Sequence, residues 1–231
     1  MFARQGLRVH KMCRAKYSVG FRRLATQVQA GSKKNFELEK RFKEILTPEV
    51  LEQKAKEFDK DGFTVLHELF EPETMDELRE EMDRIIAKTE KEKFNDSAIF
   101  TTNKQIEHLS KSVDYFLDSA SKVSFFYEKD AFDENGKLVG PLNTSLNKVG
   151  HAMHDLNPVF HKFCYSNVVK TLAKDVLQFI NPILVQTMYI FKSPKVGGEV
   201  SPHQDSTYLT SHPLSCKAIW VALDDATQEN G

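Results

Sequence analysis

The stretch Ser201-Pro202-His203-Gln204-Asp205 sets an imidazole and a carboxylate two residues apart. In a strand, side chains at that spacing share a face about 6.6 Å apart along the backbone, so His203 and Asp205 can turn onto one ion while Gln204 points away. Imidazole and carboxylate are also donors that suit first-row divalent metals. A chain with eight histidines meets His-x-Asp by chance easily, so the surroundings must supply the specificity.

Other residues invite a chemical reading and have a plainer one beside it. His151 and His154 lie three apart. On a helix they share a face that, with Asp155, imitates a second metal site. The preferred reading is helix-surface or pocket-wall histidines. Met188 alternates with Leu184, Gln186 and Ile190 along one face of an expected strand, the pattern of a core residue. Trp220, between Ile219 and Val221, has the same default. Lys148 by itself is a solvated lysine, although a cation in an apolar stretch can meet a dicarboxylate by Coulomb attraction.

The elements that must position these groups follow from pattern and punctuation. Thr47-Pro48 starts a helix that Gly62 ends, and FTVLHEL follows as an expected strand. From Glu73 to about Glu90, Met75, Leu78, Met82, Ile85 and Ile86 recur at helical spacing, a core stripe. Two apolar runs over 123–139 flank Asn135-Gly136, which predicts a hairpin. Residues 157–176 are expected to be helical. Strands are expected in ILVQTMYIF after Pro182 and in KAIWVALDD, with a Gly197-Gly198 turn between them. Short strands linked by turns and preceded by helices indicate an α+β, mainly antiparallel β architecture.

Composition narrows the function classes. The chain has 231 residues, enough for a substantial core, and its 40% hydrophobic and 28% charged content is that of a soluble domain. No apolar run approaches the roughly eighteen residues of a membrane-spanning helix. Nine basic residues, Arg4 to Lys34, precede the first acid, Glu37, leaving 23 basic against 33 acidic residues and a body of net charge -10. An acidic body does not attract phosphate backbones, so a small-molecule partner is expected and nucleic acid is not. Oligomeric state is left open. Cys13, Cys164 and Cys216 form no disulfide or zinc framework, which fits a reducing compartment.

Residues 1–36 are read as a basic amino-terminal extension with the composition of a mitochondrial transit peptide, and 37–231 as one domain. A solvated arm, or initiation at Met12, is the alternative, with a cytoplasmic location. Arg23-Leu24 precedes Gln29-Ala30 by four residues, one fewer than a peroxisomal signal of that type uses. A peroxisomal address is therefore disfavoured.

The ordered segments LNKVGHAMH, QTMYIFKSPKVGGEVSPHQDSTYL and IWVALDDATQENG resemble the phytanoyl-CoA dioxygenase family from about Phe58 to Gly231. The resemblance implies a double-stranded β-helix, a cupin-like jelly-roll with flanking amino-terminal helices. It also implies an oxidoreductase using Fe(II), 2-oxoglutarate and O2. By the same resemblance His203 and Asp205 match metal ligands, while Lys148, Met188 and Trp220 match 2-oxoglutarate contacts.

In that family a distal histidine completes the facial triad and an arginine further on meets the far carboxylate of 2-oxoglutarate. Both lie beyond Gly231 in the family pattern, and His212 does not match the distal ligand. The expectation is a carboxy-terminally truncated dioxygenase domain, with an unknown and acyl-CoA-like or lipid-like substrate, that turns over poorly or not at all alone. The alternative is a non-catalytic isoform or fragment that binds a metabolite or partner.

Overall fold

A computed structural model describes residues 42, 44–89, 113–135, 137–193, 197–198 and 200–229. All of them belong to one compact unit, Glu37–Gly231. The basic extension over 1–36, with its transit-peptide and peroxisomal readings, lies outside the described residues.

Helix α1 spans Pro48–Asp61 and is bounded as its sequence directs. Thr47 Oγ1 accepts the Val50 N–H at 3.4 Å, Pro48 occupies the first turn, and Gly62 closes the helix at φ 79°. Helix α2, Pro72–Thr89, buries Met75, Leu78, Met82 and Ile86 on one face. The stripe read from sequence is therefore its core face. After α3, Val113–Ser119, come strands β1, Val123–Tyr127, and β2, Leu146–His151. Helices α4, Pro158–Cys164, and α5, Asn167–Thr171, follow, and α5 runs into a wider π turn over Leu172–Val176. Strand β3 is Thr187–Ile190.

The three strands form one antiparallel sheet in the order β1-β2-β3. Its register gives it two unlike faces. Phe125, Val149 and Tyr189 lie opposite one another and pack against α2 and α4 through Met82, Ile86, Phe160 and Phe163. Phe126, Lys148 and Ile190 lie opposite one another on the other face, as do Ser124, Gly150 and Met188. A second cluster, Leu46, Leu69, Val168, Leu172 and Val176, joins the start of α1 to α5, and Phe70 touches both clusters.

Several expected strands are not formed. The FTVLHEL segment has no ladder. Phe63 and Val65 face solvent, while Leu66, Leu69 and Phe70 turn inward at three- and four-residue spacing, and Glu68 takes φ 52°. KAIWVALDD also has no ladder among the described residues. It is held by side chains instead. Lys217 Nζ donates to the Leu177 carbonyl at 2.7 Å, Arg79 on α2 bonds the Leu223 carbonyl and pairs with Asp224 at 3.0 Å, and Val221 and Leu223 pack on the first cluster.

The expected hairpin over 123–139 is replaced by pairing of β1 with the distant β2. Its turn survives as a single bridge, Phe132 to Leu138, in which the Asp133 carboxylate accepts the Asn135 and Lys137 N–H groups, each at 2.9 Å. Gly136 lies outside the described residues. The architecture is thus helices against a small antiparallel sheet that does not close on itself. Among the described residues no helix is long and apolar enough to cross a membrane.

Gly150 sets how closely β3 approaches β2. A Cβ there would stand 3.0 Å from the Thr187 carbonyl oxygen and 3.4 Å from Met188 Cγ. Gly150→Ala is expected to push β3 outward and lower stability by about 1–3 kcal/mol, as overpacking does. Urea unfolding of the variant beside the parent chain measures this.

Candidate metal and anion site

The Phe126, Lys148, Ile190 face of the sheet holds a buried cation. Lys148 is only 6% exposed. Its ammonium lies 5.2 Å from the Phe126 ring centroid and 5.4 Å from that of Phe116, and donates toward Met188 Sδ at 3.8 Å. The two rings shield it from water while their faces attract its charge. Burial lowers its pKa to about 8, and the Asp205 carboxylate pulls partly the other way. Lys148 is therefore no solvated surface lysine, and its strand neighbour Met188, 38% exposed, is no core residue.

His203 and Asp205 do not share a strand face. Gln204 has extended backbone and Asp205 opens a single helical turn, Asp205–Tyr208. The chain bend nonetheless brings His203 Nε2 to 3.5 Å from Asp205 Oδ1, with the side chains 60% and 38% exposed. His203 Nδ1 donates to the Ser201 carbonyl at 2.9 Å. Because a carbonyl only accepts, this bond puts a proton on Nδ1, and Nε2 faces the Asp205 carboxylate.

Two donors held about 2.1 Å from one ion at right angles stand about 3.0 Å apart. The 3.5 Å separation of His203 Nε2 and Asp205 Oδ1 fits that demand with a small movement. The pair thus suits a divalent ion, and among the described residues no group of three His, Cys, Asp or Glu gathers to hold one.

The structure therefore brings Lys148, Met188 and Asp205 into one neighbourhood, with His203 beside Asp205. Trp220 is not drawn into it. Its side chain is 69% exposed, on a segment whose Val221 and Leu223 point to the core. His212 is exposed in the intervening loop.

His151 and His154 are neither on one helix nor at a surface. His151 ends β2, His154 sits in the following turn, Met153–Leu156, and both are buried. Ser119 Oγ donates to the Phe116 carbonyl and stands 2.7 Å from His151 Nδ1. A hydroxyl has one proton, so Nδ1 carries the imidazole proton and Nε2 presents a bare lone pair, without a partner among the described residues. Burial, and then the neighbouring Lys148 charge, lower His151 to about 4, which keeps it neutral. Burial also lowers His154. Burial pushes the Cys164 thiol up to about 12, which removes it as a nucleophile at neutral pH.

Two buried polar groups lie near the site: His151, read from sequence as a helix-surface or pocket-wall histidine, and Glu128, a carboxylate after β1 that the sequence reading passed over. Glu128 gives no signal in sequence because it follows the strand like any polar turn residue. The signal for His151 was its place three residues after Lys148 in a largely apolar strand.

The sequence profile of the phytanoyl-CoA dioxygenase (PhyH) family matches residues 58–231. The chain is 41% identical over 181 residues to phytanoyl-CoA dioxygenase domain-containing protein 1 of Danio rerio, covering 78% of this chain and 62% of that protein. It is 43% identical over 180 residues to a Dictyostelium discoideum homologue of the same name, covering 78% and 62%. With a phytanoyl-CoA dioxygenase of Arabidopsis thaliana the identity is 40% over 186 residues, covering 80% and 62%. The chain thus spans about 62% of the length of these curated relatives.

The neutral His151 has a consequence for acid stability. Its proton affinity is lower folded, at about 4, than unfolded, at the ordinary 6.5, so the unfolded chain binds the proton better. Its contribution to stability is complete above about pH 6.5 and is lost as pH falls toward 4. Unfolding midpoints followed across that window are expected to decline less steeply in His151→Phe than in the parent chain.

Proposed function

The chain belongs to the phytanoyl-CoA dioxygenase family, and on that premise we propose that it forms the centre of an Fe(II)- and 2-oxoglutarate-dependent hydroxylase. The observation that carries the reading is the His203–Asp205 pair. Its two donor atoms stand 3.5 Å apart, the imidazole proton is held by Ser201, and a buried lysine lies within electrostatic reach. A metal ligand pair beside a shielded cation is what a site for a chelating dicarboxylate requires.

In this reading His203 and Asp205 hold the ferrous ion. Lys148 receives a carboxylate of 2-oxoglutarate, in a setting where two aromatic rings exclude water and so strengthen the ion pair. Met188 lies against the same ammonium and shapes the apolar side of the site. Bound iron supplies the redox chemistry that couples O2 and 2-oxoglutarate to hydroxylation, with succinate and CO2 released. The sheet is one wall of a double-stranded β-helix, and the substrate is a small molecule of acyl-CoA or lipid-like character. Residues 1–36 carry a mitochondrial address.

A second reading, a non-catalytic binder of a metabolite or partner, is favoured by one feature. Among the described residues the pair is joined by no third metal-ligating side chain.

The two readings separate in one assay. The purified chain given Fe(II) and 2-oxoglutarate under air is expected to release succinate above the level of His203→Ala and Asp205→Ala. Equal background from all three supports the binding reading. Lys148→Met is expected to weaken 2-oxoglutarate binding about 10- to 100-fold, the size of one lost charge-assisted contact. Titration of the Co(II)-loaded chain with 2-oxoglutarate checks that value.

A further inference from the structure

We propose that Glu128 is a positioning residue, a buried carboxylate that fixes the loop before His203 against the strand that carries Lys148. The inference rests on the reading of His203 and Asp205 as metal ligands. Glu128 follows β1 and is 3% exposed. One carboxylate oxygen, Oε1, accepts the Asn147 side-chain N–H at 2.9 Å, and the other, Oε2, accepts the Gly198 backbone N–H at 3.3 Å. Asn147 is the residue before Lys148, and Gly198 lies just ahead of His203 in the chain. A single carboxylate therefore spans from the lysine strand to the metal-binding segment.

The anchor is itself fixed. The Glu128 N–H donates to the Ser145 carbonyl at 3.0 Å and its carbonyl accepts the Ala131 N–H at 3.2 Å. At the far end, the Gly197 N–H closes on the Ser193 carbonyl at 3.0 Å. A Cβ at Gly197 would stand 2.9 Å from that oxygen, so only glycine allows this turn. At Gly198 a Cβ would stand 3.6 Å from Glu128 Oε2, an ordinary contact, so the second glycine is held by its N–H rather than by lack of room.

A buried carboxylate needs its hydrogen bonds, and here both donors are neutral groups of the two segments to be joined. Removing the carboxylate frees the loop at one end and Asn147 at the other. Metal affinity then falls because the donor pair is no longer pre-set, as when other groups that orient metal ligands are lost.

The test uses the whole chain and two readouts. Hydrogen exchange of the metal-free protein is expected to accelerate at least about tenfold over 197–205 in Glu128→Ala, with helix α2 unchanged. Co(II) titration, followed by visible absorption, is expected to show a dissociation constant raised about 10- to 100-fold in Glu128→Ala. Glu128→Gln, which keeps one acceptor oxygen, is expected to lie between, and Asn147→Ala, which cuts one tie, to resemble it. Lys56→Ala, an exposed change on helix α1, must leave Co(II) affinity unaltered.

If Co(II) binds the parent chain in a His203-dependent way while the Glu128 variants match it in both readouts, the positioning role is overturned and the metal pair stands. If Co(II) binding is indifferent to His203→Ala, the metal pair itself fails and the inference with it. Should Glu128→Ala not fold, Glu128→Gln and Asn147→Ala decide by the same measurements.

Discussion

Val149, packed between Phe125 and Tyr189 and pressed onto α2, is the contact on which the rest depends. Because strand side chains alternate, seating Val149 in the core forces Lys148 to the opposite face. A slip of one residue would reverse both assignments, exposing a valine and driving an ammonium into the helices. The hydrophobic seam behind the sheet thus aims the cation in front of it. Gly150 contributes by letting β3 lie close enough for Met188 to reach that cation.

What sequence revealed and what it hid follow from the range of the interactions involved. Helices α1 and α2 were legible because their signals are local: Thr47 and Gly62 as caps, and the Met75, Leu78, Met82, Ile86 stripe at helical spacing. Strands were overcounted because apolar alternation records burial, while a strand also needs a neighbour with free N–H and C=O groups. Phe63 and Val65 pair with no strand among the described residues and face outward. The hairpin at Asn135-Gly136 lost to β2, whose partner surface lies further along the chain.

The candidate site divides the same way. His203 and Asp205 could be picked out by type and spacing, and family resemblance drew attention to Lys148 and Met188. Geometry changed the reasons. The acid and imidazole meet at a bend rather than across a pleat. Lys148 matters because it is sealed beneath two rings. Glu128 and the fixed tautomer of His151 depend on contacts with Gly198 and Ser119, remote in sequence, and no local pattern encodes them. Ile180, Ile183 and Trp220 remain largely exposed, against the default reading of apolar strand residues as core.

The shielding of Lys148 has a further thermodynamic meaning. Holding an ammonium where burial has dropped its proton affinity toward 8 costs the fold free energy at neutral pH. On the proposed reading, a carboxylate bound beside Lys148 would relieve that cost, so recognition and folding would draw on one source of free energy.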